Sequence, residues 1–132
     1  TNRYILSGPE QGHRRIMLKT TLPVALFFLI LMPREAAPNA REQARIDFLL
    51  QQVASSQAMF IRNGVEYNAV DAVAHLRLKL QRAGKRINTA EHFIDYLASK
   101  SSVSGQAYRL KWKDGKTADA RTWLYQKLKE FK

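Results

Sequence analysis

The run Met59-Phe60-Ile61-Arg62-Asn63-Gly64-Val65-Glu66-Tyr67-Asn68 decides how this chain folds. Asn-Gly stands between two short runs of strand-forming residues. That dipeptide tolerates the positive φ needed at both central positions of a type I′ turn, so residues 59 to 67 are expected to form a β-hairpin. Immediately before it, Ile46, Leu49, Leu50 and Val53 recur at helical spacing from Arg41 to Ser56, with Glu42, Arg45, Gln51 and Gln52 on the other side. This is the pattern of an amphipathic helix. Immediately after it, Asn68 is placed to cap a second helix with Asp71 in its first turn. Ala69, Ala72, Val73, Leu76, Leu80 and Ala83 trace one face of that helix down to Gly84.

Further along, a third helix begins at Asn88 or Thr89. Asn88 and Glu91 have the spacing of a capping box, and Phe93, Ile94, Leu97 and Ala98 form its buried stripe. The polar loop SKSSVSG (99–105) leads into YRLKWK (108–113), where Tyr108, Leu110 and Trp112 alternate with Arg109, Lys111 and Lys113. Strict alternation reads as a half-buried strand with a basic outer face. Lys113 to Lys116 turns the chain, and Asp119 caps a last helix carrying Trp123, Leu124, Lys127, Leu128 and Phe131 along one side. The expected fold is α+β: about four helices packed on a small, mainly antiparallel sheet of about three strands, preceded by an N-terminal signal segment. Phe48, Leu50, Leu76, Phe93, Leu97, Trp112 and Leu124 are its expected core.

The chain has 132 residues, 45% hydrophobic and 25% charged, which is the balance of one small globular domain. It contains no cysteine, which removes disulfides, thiol nucleophiles and thiolate-ligated metals. Twenty-two Lys and Arg stand against eleven Asp and Glu, giving +11. Five of those cations and two of the acids precede Arg41, so residues 41–132 keep 17 and 9, a net charge of +8. Such a charge attracts anionic partners.

Residues 1–16 are read as a leader or fragment edge. From Met17 the layout is that of a signal peptide or membrane anchor over residues 17–40: a basic start at Lys19, an apolar run from Leu22 to Met32, then small residues ending at Ala40. The apolar run is eleven residues, within the about 7–15 of a signal core and short of the ~18 that span a bilayer. Cleavage after Ala40 would put Pro38 third from the end, and cleavage after Ala37 would put Glu35 there, so an uncleaved anchor stays open. Arg14-Arg15-Ile16-Met17-Leu18-Lys19 also fits a twin-arginine pattern if translation starts upstream. A buried core helix is the remaining reading, against which Pro23 and Pro33 argue. The expected location is periplasmic or secreted by a Sec-type signal, with membrane contact through this segment if it stays attached. Residues 41–132 are expected to form a single domain.

The phrases Phe60 to Glu66, Ala74 to Lys79, and Thr89 to Ser102 with Gly105 and Tyr108 resemble the YfeK-like family of small exported bacterial proteins, a domain of unknown function. The resemblance covers residues 44 to 112. It implies an exported single-domain protein and lends no activity.

The chemistry in the sequence is sparse. Asp71, His75 and Lys79 lie one turn apart on one helix stripe, where Asp71 could orient His75 as a base toward a serine of the 99–104 loop. No G-x-S-x-G elbow surrounds any serine, and an ordinary surface ion stripe is the simpler reading. Gly115-Lys116-Thr117 lacks the upstream glycine of a phosphate loop, because Leu110 stands there; Lys100 lacks a serine three residues before it, because Leu97 stands there. No cofactor or metal is expected, since the two histidines of residues 41–132, His75 and His92, have no paired spacing and make no metal site.

Two groups of polar residues remain. Arg62, Glu66, His75, Arg77, Ser101 and Ser102 form a candidate ligand site suited to a carboxylate or phosphate, with a closed internal network pairing Arg62 and Glu66 as the alternative. Arg109, Lys111, Lys113 and Lys116 form a candidate patch for anionic surfaces. The leading expectation is therefore a non-catalytic exported interaction or envelope-accessory module that binds an anionic envelope component or another exported protein. A small periplasmic hydrolase using His75 and the serine loop is the alternative. A nucleic-acid binder is the third reading, disfavoured by the export signal and by the core-facing Tyr108 and Trp112.

Overall fold

The computed structural model describes residues 39–132; the expected signal segment lies outside the described residues. Asn39 caps helix α1 (Ala40–Ser55), its side chain accepting the Arg41 N–H at 2.9 Å and its carbonyl accepting from Gln43. The expected stripe Ile46, Leu49, Leu50 and Val53 is buried. A positive φ of 55° at Gln57 then turns the chain into strand β1 (Met59–Arg62).

β1 and β2 (Val65–Tyr67) form the expected hairpin. Asn63 and Gly64 take φ of 51° and 76°, the two positive values a type I′ turn requires. Asn68 caps α2 (Ala69–Ala83) by accepting the Asp71 N–H at 2.8 Å, and Gly84 ends it at φ 54°. A 3₁₀ turn at Gly84–Arg86 leads to α3 (Ala90–His92), which continues as a π-helix over Phe93–Ala98. Thr89 caps α3 through the His92 N–H. Glu91 has a different task from the expected capping box: it pairs with Arg45 of α1, while Glu42 accepts the Ala90 N–H at 2.9 Å. Arg45 also binds Glu42 at 2.8 Å, so one three-residue network ties α1 to the start of α3.

β3 (Arg109–Lys111) is shorter than the alternation predicts. The Trp112 N–H bonds Lys116 O at 2.9 Å, Gly115 takes φ 84°, and the chain reverses, leaving Lys113 in the turn. A strand absent from the expectation follows, β4 (Thr117–Asp119), and Asp119 ends it by capping α4 (Ala120–Leu128). Ala118 and Asp119 have little strand propensity, and the segment is paired here by the tight turn that precedes it. The sheet is antiparallel throughout, in the order β2-β1-β3-β4, one strand more than expected.

One face of the sheet covers the helices. Phe60, Leu110, Phe93, Ile94, Leu49 and Leu124 meet in a single buried cluster with Leu50, Leu76 and Leu97. Phe48 and Trp112, also expected in the core, are half-buried against it; Phe48 meets Phe131 edge-on at 5.5 Å. Leu76 is 5% exposed and carries α2 onto this cluster. Truncating Leu76 to alanine should cost ~2–5 kcal/mol in denaturant unfolding, a large share of what a domain this small can hold. A loss under ~1 kcal/mol would mean that α2 is held by something other than this face.

Candidate functional site

The hairpin register separates the residues that the sequence groups together. Phe60 lies opposite Tyr67, Ile61 opposite Glu66 and Arg62 opposite Val65. Side chains alternate between faces along a strand, so Arg62 shares the inner face with Phe60, and Glu66 points to the outer one. The expected Arg62–Glu66 ion pair is therefore replaced by two separate contacts. Glu66 binds Lys111 of β3 at 2.8 Å on the exposed side, and Arg62 reaches His75 on α2.

The serine loop is occupied with itself. Ser101, 4% exposed, receives the Asn63 side-chain amide and the N–H groups of Val103 and Ser104, each at 3.3 Å. Ser99 donates to Ile94 O, closing the end of the π-helix, and Ser104 accepts from Gln106 N at 3.2 Å. Ser102 and Arg77 are exposed, and Arg77 stands two residues from His75, on a different face of the helix. Of the six candidates, Arg62 and His75 are brought together, while Glu66, Arg77, Ser101 and Ser102 are not. No serine hydroxyl reaches His75 among the described residues, because both ring nitrogens face Arg62 Nη1, at 3.0 and 2.8 Å.

The outer-face patch is likewise interleaved with acids. Lys111 pairs with Glu66, Lys116 lies 3.6 Å from Asp114, and Arg109, paired in register with Asp119, donates to Thr117 at 3.0 Å.

Arg62 and His75 open on a cavity of about 200 Å³ beneath the hairpin. Val53, Phe60, Ala72, Leu76, Ala98 and Leu124 form its apolar walls; Tyr67, Tyr108 and Asp71 complete the lining. The Arg62 guanidinium lies 5.4 Å from the Tyr67 ring centre, a cation–π distance. Beside it, Lys79 donates to Leu97 O, to Lys100 O at 3.1 Å and to Tyr108 OH at 3.2 Å. The carbonyls at the end of the π-helix thus hold the ammonium, as carbonyls at a helix C-terminus do. Sequence periodicity places Lys79 on the His75 stripe, but its partners come from the π-helix, from Lys100 just beyond it and from residue 108, which only the tertiary fold brings near.

These cations act on one another. Burial, then the charges of Arg62, Lys79 and Arg82, hold His75 below its usual 6.5, so the ring is neutral at pH 7. Burial, then Arg62, bring Lys79 down to about 8. Burial also pushes the Tyr108 phenol up. A neutral imidazole has one acceptor nitrogen and one N–H, and a guanidinium only donates. Whichever tautomer is present, Arg62 Nη1 satisfies one ring nitrogen and leaves the other facing a donor. Arg62 Nε is buried and without a partner among the described residues. The site is short of an acceptor.

An unfolded His75 takes up its proton near 6.5, before the folded one does. Stability from this group is therefore complete above 6.5 and is lost as pH falls below it toward the folded value. Replacing Arg62 by alanine removes one repelling charge. The His75 midpoint, followed by its ring signals in NMR, should rise toward 6.5, the Lys79 midpoint should rise above about 8, and the acid loss of stability should become shallower. Unmoved midpoints would show that Arg62 does not act on either group.

The comparisons agree with the resemblance in the sequence. A family model described as a family of unknown function (DUF5329) matches residues 40–132. Over 92 residues the chain is 42% identical to the uncharacterized protein YfeK of Salmonella typhimurium, covering 69% of this chain and 77% of that protein. No solved structure matches. With its described fold lying within the matched residues, the chain belongs to this YfeK-like family of unknown function.

Proposed function

We propose that the domain is a non-catalytic, exported accessory module of the cell envelope that binds an anionic partner at Arg62 and His75. The observation that carries this reading is the shortage of acceptors at the cavity wall. Arg62 Nε is buried without a partner, and the charges acting on the neighbouring His75 are all cationic. Buried donors in folded proteins are nearly always paired, and an unpaired one in a side chain that lines a cavity would gain an acceptor if that side chain turned toward a ligand there. A closed network would have ended Arg62 on a carboxylate, but Glu66 is on the other side of the sheet. The non-catalytic reading rests on Ser101, whose hydroxyl is turned to Asn63 and its own loop rather than to His75. Export rests on the leader read between Met17 and Ala40.

Two measurements test the two halves. Acetate and inorganic phosphate, titrated separately into the full chain, should shift the His75 ring signals saturably with at least one of them, and Arg62→Ala should abolish the response. The same substitution should leave thermal stability unchanged or raised, because it removes an uncompensated charge. No response to either anion, or a melting point lowered with the response retained, would defeat the binding claim. A fusion of residues 17–132 to a reporter active only in the periplasm should be active; cytoplasmic retention would remove export.

A further inference from the structure

We infer that the cavity beneath the hairpin takes a small amphipathic monocarboxylate, its carboxylate on the Nε edge of Arg62 and its apolar tail between Phe60, Leu76 and Leu124. This rests on the anion site proposed above and names its ligand. The head is fixed by which donors are left. Arg62 Nη1 is engaged with His75, and Nε has no partner. Nε and the neighbouring Nη2 form the side-on fork of a guanidinium, which fits the two oxygens of a carboxylate once the side chain turns its buried Nε edge to the cavity. Lys79 adds its field but no bond, since its three protons already point at Leu97 O, Lys100 O and Tyr108 OH. One free planar fork suits a two-oxygen head better than a phosphate with three oxygens to satisfy. Asp71, the one carboxylate lining the cavity, further disfavours a dianion.

The tail is fixed by the walls. A bare inorganic anion would satisfy Arg62 and leave the apolar part of the cavity unused. A purely apolar molecule would fill that part and leave the Nε donor orphaned. One molecule with a charged end and an apolar end meets both demands. The size follows from the volume: a cavity of roughly 150 Å³ accepts benzene, so the about 200 Å³ here holds a ring or chain of roughly six to eight carbons. That is below the usual range of drug-sized pockets, and it excludes a full membrane lipid from entering whole.

The test is calorimetric titration of the full chain with acetate, butanoate, hexanoate, octanoate and dodecanoate below their micellar concentrations, alongside inorganic phosphate and octanol. Affinity should rise roughly threefold or fourfold per added methylene up to hexanoate or octanoate, and dodecanoate should gain nothing more. Octanoate should bind at one site, at least tenfold tighter than octanol or acetate, and Arg62→Gln should weaken it at least tenfold. The chain-length series uses the unsubstituted protein, so it holds even if a variant fails to fold. Acetate or phosphate binding as tightly as octanoate, with dependence on Arg62, would overturn the amphiphile while leaving the anion site standing. Octanol binding as tightly as octanoate, with Arg62→Gln without effect, would overturn both. No binding by any of the anions would also overturn both.

Discussion

Because Asn63 and Gly64 both take positive φ, the hairpin closes in one register, and that register decides which side of the sheet each charged side chain occupies. A slip of one residue in that pairing would bring Arg62 and Glu66 onto one face, either sending Arg62 into solvent beside Lys111 or turning Glu66 into the apolar interior. In the register found, Phe60 and Leu110 complete the core from the sheet side, while Glu66 and Lys111 meet across two strands on the outside. The cavity, its cationic wall and the balanced outer face all follow from this one two-residue turn.

The same geometry obliges the interior to hold charge. Arg62, Lys79 and a neutral His75 are gathered where α2 meets the sheet, and the exposed Asp71 is the one acid among the residues lining the cavity. The fold contains this by two means. Lys79 is surrounded by oxygen atoms, among them the carbonyls of Leu97 in the π-helix and of Lys100 just beyond it. Arg62 spreads its charge over the Tyr67 ring. A π-helix carries an extra residue per turn and offsets its last carbonyls from ordinary helical partners, which is why such segments often border functional sites. Elsewhere some cations are paired with acids: Arg45 with Glu42 and Glu91, and Arg121 with Asp95 at 3.0 Å.

What could be read from the sequence was whatever local chemistry specifies. Asn63-Gly64, the Asn68 cap, the Gly84 stop and the Asp119 cap each act within four residues, and each is where the pattern puts it. The buried stripes of α1 and α2 were equally legible, because helical period and burial coincide. β4 was hidden, since Thr117-Ala118-Asp119 becomes a strand by pairing with β3 and not by composition. The π-helical widening at Phe93 was hidden because its apolar spacing is that of an ordinary helix. For the site, residue type pointed to Arg62 and His75, but grouping Glu66 with them ignored that residues four apart across a two-residue turn fall on opposite faces. Ser101 stands out in the sequence by its hydroxyl, which the loop uses to order itself.

The Asn39 cap has a bearing on how much of the chain can be removed. Its side chain and its carbonyl both serve the first turn of α1, the helix that Arg45 ties to α3. A polypeptide beginning at Arg41 would lose both acceptors and start that helix with a free ammonium among N–H groups that already carry partial positive charge. Loss of such a cap costs ~0.5–2 kcal/mol before the added charge is counted. A polypeptide beginning at Pro38 keeps the cap and moves its ammonium out of the first turn. Asn39 therefore measures out the shortest form of this domain that begins with its leading helix intact.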